Sequence, residues 1–571
     1  MRVEKVSLCN FRNYSDTTIN FKHSTLIIGS NDVGKTNLIY GMRLLLDKSL
    51  SDADIEPNET DFHISPIGIQ ANEFSITIYF CEVKEDAVLS VLKGHVSEHS
   101  STIFRLVAQR SSLEYQLYIG ATENSLELIN SRYYLRYINL RYINAQRNLQ
   151  KFIEKEKKTL LKISRCELND EDSDKDQALV TEIGKNLNYV NERVRELNYV
   201  KNSTALVNKE LKKIAHTLIN YEVHLDTGAI QVQQFIDNLK LSASNNGSKM
   251  LLGGDGRNNQ ILLALWTAKS QRELNPEDEV VFYCIEEPEA HLHPHQQRKL
   301  ADYLNNELIG QTIITTHSPQ ITARYSPDSI IHIINRNSDS YAASGGCSDC
   351  ISNAWDNLGY RMSILPAEAF FSRVVLLVEG PSEKLFYTEL AEALNIDLDF
   401  YNISILTVDG IQFKVYVDIL DAMEIPWVLR TDNDVSKMKV SGREWKNPAG
   451  INRCLSLIGR EKIEYLGIDT TSKSLYENGT WSEISSILNV NSIYLSKVDL
   501  EYDLSLELPE QLLELSGKES IDDAVKFLAS KKAIRMREFL AKYKCFLKGM
   551  NNSDLARPLL HCLSHINKSE V

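Results

Sequence analysis

The sequence predicts an α/β chain of two successive domains, each built on a mainly parallel sheet. Three observations predict it. The segment "STLIIGSNDVGKTNLIYGMRLLLD" reads as an apolar strand, a glycine-bearing loop and an amphipathic helix. Much later, "EVVFYCIEEPE" and "IGQTIITTHSPQ" are apolar strands that end in two glutamates and in a histidine. From residue 374 the chain then alternates strand, helix, strand, helix, strand, as parallel sheets with right-handed crossovers do.

Bulk properties narrow the function classes. At 571 residues the chain is too long for a single core. Its 43% hydrophobic and 25% charged residues are those of a globular protein. No apolar run reaches the roughly 20 residues that span a bilayer. The opening "MRVEKVSLCNFRNYSDTT" reads as strand and turn rather than as a signal peptide, so a cytoplasmic protein without a membrane partner is expected. The nine cysteines are scattered, which fits a reducing compartment. Cys347 and Cys350 lack a second pair or nearby histidines and read as a loop feature, not a zinc site. A net charge of −14 excludes a surface coated in basic charge but not a local basic groove.

In chain order, the first element with chemistry is the loop Gly29-Ser30-Asn31-Asp32-Val33-Gly34-Lys35-Thr36, followed by Asn37. Its glycines let backbone N–H groups turn toward phosphates, and the helix behind adds favourable partial charge. Lys35 is placed to reach the β- and γ-phosphates and Thr36 to hold Mg²⁺, so ATP with Mg²⁺ is the expected ligand. Residues from about 150 to 240 are charged, poor in Gly and Pro and helical in period, and read as an inserted helical region. Within it, acidic "NDEDSDKD" at 169–176 reads as an exposed turn between helices. The strand Val280–Ile285 then delivers Glu286 and Glu287, and the next strand delivers His317. In P-loop ATPases the first acid binds Mg²⁺ and the second polarises the attacking water. "SIIHIINRNSDSYAASGG" reads as an edge hairpin, and a mixed linker follows to about 358.

The second domain opens with "VVLLVEGPSEKLFYTELA". Its strand ends in Glu379, and Glu383 lies one turn into the helix that follows. The strand "ISILTV" ends at Asp409-Gly410, and "WVLRTDND" ends in Asp432 and Asp434. Sites in parallel sheets gather at the carboxyl ends of strands. Carboxylates converging there repel one another and call for bound Mg²⁺ or Mn²⁺. Further on, "SKKAIRMREFLAKYKCFLKG" crowds Lys531, Lys532 and other basic residues into one helical region.

The first domain resembles the ABC-type ATPases of the recombination and SMC-like branch, including "NFRNY" (Asn10–Tyr14) before the loop. "LLGGDGRNNQ" resembles the dimer-bridging motif, with Gly253, Gly254, Asp255 and Gly256 opening a helix. It lacks the serine that touches a partner's γ-phosphate, so the resemblance implies nucleotide binding more than fast turnover. Gln146 is the candidate for the glutamine loop. The pattern Glu379-Gly380 with Asp432-x-Asp434 resembles the Toprim domain, and the "EGPSE" spacing is its nuclease version.

An ABC ATPase domain (1–357) joined to a Toprim domain (358–571) resembles the OLD (overcoming lysogenization defect) family of nucleases, nearest its Gabija anti-phage defence branch. That resemblance implies a metal-dependent endonuclease acting on double-stranded DNA and gated by nucleotide. It implies a homo-oligomer, dimer or tetramer, formed through the ATPase domain, and a UvrD-like helicase partner. Glu379, Glu383, Asp432 and Asp434 match the metal-holding acids. "SKVDLEYDL" matches the later acidic motif, so Asp499, Glu501 and Asp503 are candidates for a second metal, with Asp499 and Asp503 favoured. Lys532 matches the family's transition-state lysine, with Lys531 as the alternative. A repair ATPase with a structural Toprim domain is the competing reading. A topoisomerase lacks its tyrosine-bearing cleavage domain here, and a primase lacks its zinc module.

Overall fold

The computed structural model describes residues 1–144, 149–214, 279–290, 292–306, 308, 310–337, 339–347, 367–408, 413–440 and 443–569, with short pieces inside 232–265. The chain divides into two compact units. One holds Met1–Asn144, Glu277–Glu289 and Pro294–Val571; the other holds Ala145–Pro276 and Ala290–His293. Gln146, the segment Gly253–Gly256, Cys350 and Asp409-Gly410 lie outside the described residues.

The first unit contains three large sheets. A six-stranded sheet orders Tyr14–Asn20, Arg2–Phe11, Glu73–Cys81, Thr102–Gln109, Glu114–Gly120 and Glu127–Ile129, all antiparallel. It is amphipathic by alternation: Phe74, Ile76, Ile78 and Phe80 are buried along one strand and share a core with Leu38, Ile39 and Met42 of the helix Lys35–Leu46. A second six-stranded sheet orders Asp339–Ala342, Ile330–Arg336, Ser24–Ile28, Gln311–Thr315, Val280–Glu286 and Ile138–Ile143. Its pairings are parallel except for the edge hairpin Ile330–Arg336/Asp339–Ala342, which is the hairpin expected there. Every residue of Val280–Glu286 and Gln311–Thr315 is buried, which explains their unbroken apolar runs.

The third sheet is four-stranded and parallel, in the order Ile403–Thr407, Val374–Val378, Trp427–Thr431 and Ile493–Leu495. The two inner strands therefore end side by side, at Glu379 and Asp432. Helix Pro381–Ala393 buries Phe386, Tyr387 and Leu390 against a C-terminal helical layer that includes Leu504, Leu528, Met536, Phe539 and Leu559.

A polar joint ties the second sheet to the third. His332 Nδ1 donates to the Met423 carbonyl at 2.8 Å, and Arg336 Nη2 donates to Glu424 at 2.6 Å. The Ser344 N–H also donates to Glu424, at 3.2 Å, and the Ser344 hydroxyl donates to the Ala422 carbonyl at 2.7 Å. These contacts hold the turn between helix Phe413–Ala422 and strand Trp427–Thr431, where Glu424 takes a left-handed φ of 52°.

The second unit carries helices Leu149–Cys166, Asp170–Glu196 and Asn198–Ile214. The acidic run 169–176 is not a turn but the start of the middle helix. Asn169 caps it by accepting from the Asp172 N–H at 2.8 Å, and Asp170, Glu171 and Asp172 sit in the first turn, where the helix dipole favours negative charge.

Candidate nucleotide site and carboxylate centre

The phosphate-loop geometry follows from its glycines. Gly29 has φ 148°, and a Cβ there would stand 2.4 Å from the Ile333 carbonyl oxygen. Gly34 has φ 102°, and a Cβ would stand 2.1 Å from Asn13 Nδ2. Neither position accepts a side chain. Lys35 is buried and folds over the loop, donating to the Gly29 and Ser30 carbonyls at 3.0 and 2.7 Å. Burial lowers its pKa, opposed by Glu287, Asp32 and Glu286. Asn31 and Thr36 are exposed, and Asn37 is half-buried.

The "NFRNY" turn braces this loop. Tyr14 donates to the Gly34 carbonyl at 3.0 Å and Asn13 to the Val33 carbonyl at 3.1 Å. Asn37 donates to Asn13 Oδ1 at 2.6 Å while accepting from Arg12 at 2.9 Å. Arg12 is in turn paired with buried Asp61 at 2.8 Å and lies over the Tyr40 ring.

Glu286, Glu287 and His317 come to the loop from neighbouring parallel strands. Buried Glu286 accepts from the Tyr142 hydroxyl at 2.7 Å. Glu287 has φ 43°, and its Oε1 lies 3.6 Å from His317 Nε2. Burial and Lys35 lower the His317 pKa, so its imidazole is neutral at pH 7 despite Glu287. Glu289 fixes the histidine's backbone: its Oε1 accepts from the Thr316 hydroxyl at 2.6 Å and the His317 N–H at 2.8 Å.

The second constellation lies at the carboxyl ends of the third sheet. Glu379 Oε1 accepts from the Thr431 hydroxyl and, at 2.9 Å, from the Asp432 N–H. Asp432 is buried, and its Oδ1 accepts from the Ser496 hydroxyl at 3.2 Å. Its pKa is raised well above the ordinary aspartate value, first by burial, then by Glu379, Glu383 and Asp499. Glu383, buried at the first turn of Pro381–Ala393, is raised by burial and by Glu379. Lys532 opens helix Lys532–Tyr543 with its Nζ 4.0 Å from Asp432 Oδ2. Burial works to lower that ammonium, but Asp432, Glu501, Glu383 and Asp499 outweigh it and raise its pKa. Lys531 is the exposed residue before the helix.

Asp434 joins this group through Arg453, whose Nη1 lies 3.4 Å from Glu379 Oε1. It is exposed and pairs with Arg453 Nη2 at 3.0 Å. The loop that carries it packs tightly on helix Ala449–Leu457, where a Cβ on Gly450 would come 2.3 Å from the Asp432 carbonyl oxygen.

The later acidic motif divides differently from the expected Asp499 and Asp503. Asp503 is buried and engaged elsewhere: Arg430 Nη2 donates to it at 2.8 Å, and the Lys497 N–H at 3.1 Å. It is half of a structural ion pair. Glu501 instead lies with the acids around Lys532, 1% exposed, with Oε1 unpartnered among the described residues. Burial and Asp499 push its pKa up to about 7. Asp499 caps helix Leu500–Glu507 by accepting from the Tyr502 N–H at 2.7 Å.

Among the described residues no three His, Cys, Asp or Glu side chains stand close enough to cage an ion as they are. The donor set nonetheless fits a divalent cation. It is all oxygen, burial and then mutual repulsion raise the pKa of its members, and it includes one buried carboxylate oxygen with no donor among the described residues.

Comparison with known proteins finds family matches over both parts of the chain. The family described as "overcoming lysogenization defect protein-like, TOPRIM domain" matches residues 370–434, and the AAA ATPase domain family matches 1–190 and 115–322. Endonuclease GajA of Bacillus cereus (strain VD045) is 24% identical over 96% of this chain and 96% of its own. The chain belongs to the AAA ATPase domain family and carries an OLD-like Toprim domain. The Old nuclease of Escherichia phage P2 is 23% identical over 72% of this chain and 73% of its own. The OLD nuclease of Thermus scotoductus is 28% identical over 33% of this chain and 37% of its own.

Several residues that shape these sites do not stand out in the sequence. Tyr142 and Glu289 orient the acid and the histidine of the nucleotide site, and Arg453 bridges two carboxylates of the other centre. Arg453 and Gly450 flank Asn452, whose amide clamps Asn447 and the Ile463 carbonyl at 2.9 Å each. A polar residue amid the apolar positions of "AGINRCLSL" was the available signal.

Proposed function

We propose that this chain is a metal-dependent DNA endonuclease whose cleavage is regulated by nucleotide at its ATPase domain, serving in anti-phage defence. One observation carries the reading most. Glu379, Glu383, Asp432, Asp499 and Glu501 share one end of a parallel sheet with Lys532, and burial together with these neighbours raises the Asp432 pKa. Crowding buried like charges is costly, and such clusters with shifted pKa values concentrate at sites with chemistry to perform.

Glu379, Glu383, Asp432 and Asp434 would hold the metal, Mg²⁺ or Mn²⁺, with Asp499 and Glu501 serving a second ion. The cation supplies neutralisation of the phosphodiester and a more acidic bound water. Thr431 and the Asp432 N–H aim the Glu379 carboxylate by saturating Oε1. Lys532 offers its ammonium to charge that develops on the phosphate oxygens, an interaction stronger in the transition state than before it. At the other site, Gly29, Asn31, Gly34, Lys35, Thr36 and Asn37 would bind ATP with Mg²⁺. Glu286 serves the ion and Glu287 the water, while neutral His317 senses the γ-phosphate. Double-stranded DNA is the substrate, and a homo-oligomer and a UvrD-like helicase are the partners this reading takes from the family. The names of the relatives, Endonuclease GajA and the two OLD nucleases, support the activity.

The test is nicking of supercoiled plasmid with Mg²⁺ or Mn²⁺, with and without ATP. Glu379→Ala should abolish cleavage while keeping ATP binding, because the two sites occupy different sheets. Metal-dependent nicking retained by that variant would sink the assignment.

A further inference from the structure

We infer that Arg453 is a resident counter-cation that opposes metal binding at Glu379 and Asp434 and turns to a DNA phosphate when substrate arrives. This rests on the metal-nuclease reading above. The Arg453 side chain is only 10% exposed. Its Nη1 stands 3.4 Å from Glu379 Oε1, and its Nη2 stands 3.0 Å from Asp434 Oδ2 and 3.4 Å from the Asp432 carbonyl oxygen. One guanidinium thus spans the ends of the two central strands, which is where a cation ligated by those acids would be.

Two features say that this is not the side chain's final engagement. First, Nε and Nη1 make no aligned hydrogen bond among the described residues, although both are buried. Donors left unmade in a buried site are costly, and a guanidinium is best satisfied by a fork of oxygens such as a phosphate presents. Second, a divalent ion and a guanidinium a few ångströms apart in a partly desolvated site repel by far more than thermal energy. Occupation of the acids by Arg453 and by metal are therefore opposed. Lys532 cannot play this part, because it is 58% exposed and touches Asp432 only at 4.0 Å.

A phosphodiester entering the site offers Arg453 better acceptors, and its departure from the carboxylates lifts the opposition to metal. By linkage the effect is reciprocal, so metal and DNA raise each other's affinity by one common factor. The enzyme then holds metal weakly until DNA is in place.

Two binding measurements on the full chain test this without relying on cleavage. Calorimetric titration of Mn²⁺ alone, in the absence of DNA, should give more than tenfold tighter binding for Arg453→Gln. Arg453→Lys, which keeps the charge, should stay near wild type. Anisotropy with a fluorescent duplex in EDTA should show weaker binding for Arg453→Gln and a salt slope lower by about one unit. Should the glutamine variant melt early, Arg453→Met fills the same space without buried donors and carries the same expectations. Unchanged or weaker Mn²⁺ binding by the neutral variant overturns the inference, as does undiminished DNA binding in EDTA. Failure of the Arg453→Gln chain to bind Mn²⁺ any better than the double variant Arg453→Gln/Asp432→Asn would overturn the metal-nuclease reading, and this inference with it.

Discussion

Gly450→Ala is the sharpest probe of how the acids are held. A Cβ at this position would stand 2.3 Å from the Asp432 carbonyl oxygen, 2.7 Å from the Asp434 nitrogen and 3.0 Å from Asn433 Cα. All three are backbone atoms, so no rotamer change relieves the clash. Carbon–oxygen contacts become comfortable near 3.5 Å, so the helix and the acidic loop must part by about 1 Å. That movement stretches the 3.0 Å bond from the Gly450 N–H to the Asp434 carbonyl. Overpacking of this size costs ~1–3 kcal/mol, and a 1 Å displacement of catalytic groups costs on the order of 10²-fold in rate. Single-turnover nicking at saturating Mn²⁺, together with a thermal melt, measures both quantities. Gly459→Ala is the control. It has φ 67° but nothing within 4 Å of its Cβ, so it should lose stability and keep its rate. A Gly450→Ala enzyme with wild-type nicking would refute the claim that this contact fixes the acids.

Asp503→Asn should destabilise the fold by ~3–5 kcal/mol, read as a large drop in Tm, because it leaves buried Arg430 uncompensated. Glu501→Gln should fold normally yet lose cleavage. Because the Glu501 pKa is raised to about 7, the folded chain holds a proton that the unfolded chain releases near pH 4.3. The metal-free protein should therefore lose stability as pH rises from about 4.3 to about 7, by roughly 4 kcal/mol from this group, and Glu501→Gln should flatten the Tm profile across that window. Lys35→Ala should weaken ATP binding well over tenfold by equilibrium titration and leave cleavage insensitive to added ATP. Lys532→Ala should slow single-turnover nicking at saturating protein with DNA affinity nearly unchanged, whereas Lys531→Ala should not.

The parts legible in the sequence were those in which one short stretch specifies both the element and the residue. The phosphate loop, Glu286-Glu287, His317 and Glu379 each follow an apolar strand that announces itself, so position and chemistry could be read together. What escaped reading depends on partners distant in the chain. Tyr142 finds Glu286 across 144 positions, and Arg430 finds Asp503 across 73. Nothing local in "VDLEYDL" distinguishes an acid bound to a buried arginine from one that lies with the acids around Lys532. The run 169–176 reads as an exposed turn from its acidic composition, yet at a helix start acids are favoured by the dipole and the Asn169 cap. The antiparallel sheet of the first 130 residues was also missed, although the alternation of "EFSITIYF" carries it.

The joint at Met423 and Glu424 limits how this chain can be taken apart. Gly29 of the phosphate loop lies against the carbonyl of Ile333, whose neighbour His332 bonds the turn that launches the strand toward Asp432. Neither half finishes its own surface there. A fragment starting near residue 367 would present the Met423 carbonyl and Glu424 without the donors that match them. A foreign nuclease half grafted onto this ATPase would need an acid at the same place in a turn of the same left-handed form. The two chemistries are therefore not interchangeable cassettes on a string. Shuffling between relatives would succeed when residues 330–344 and 422–424 travel together.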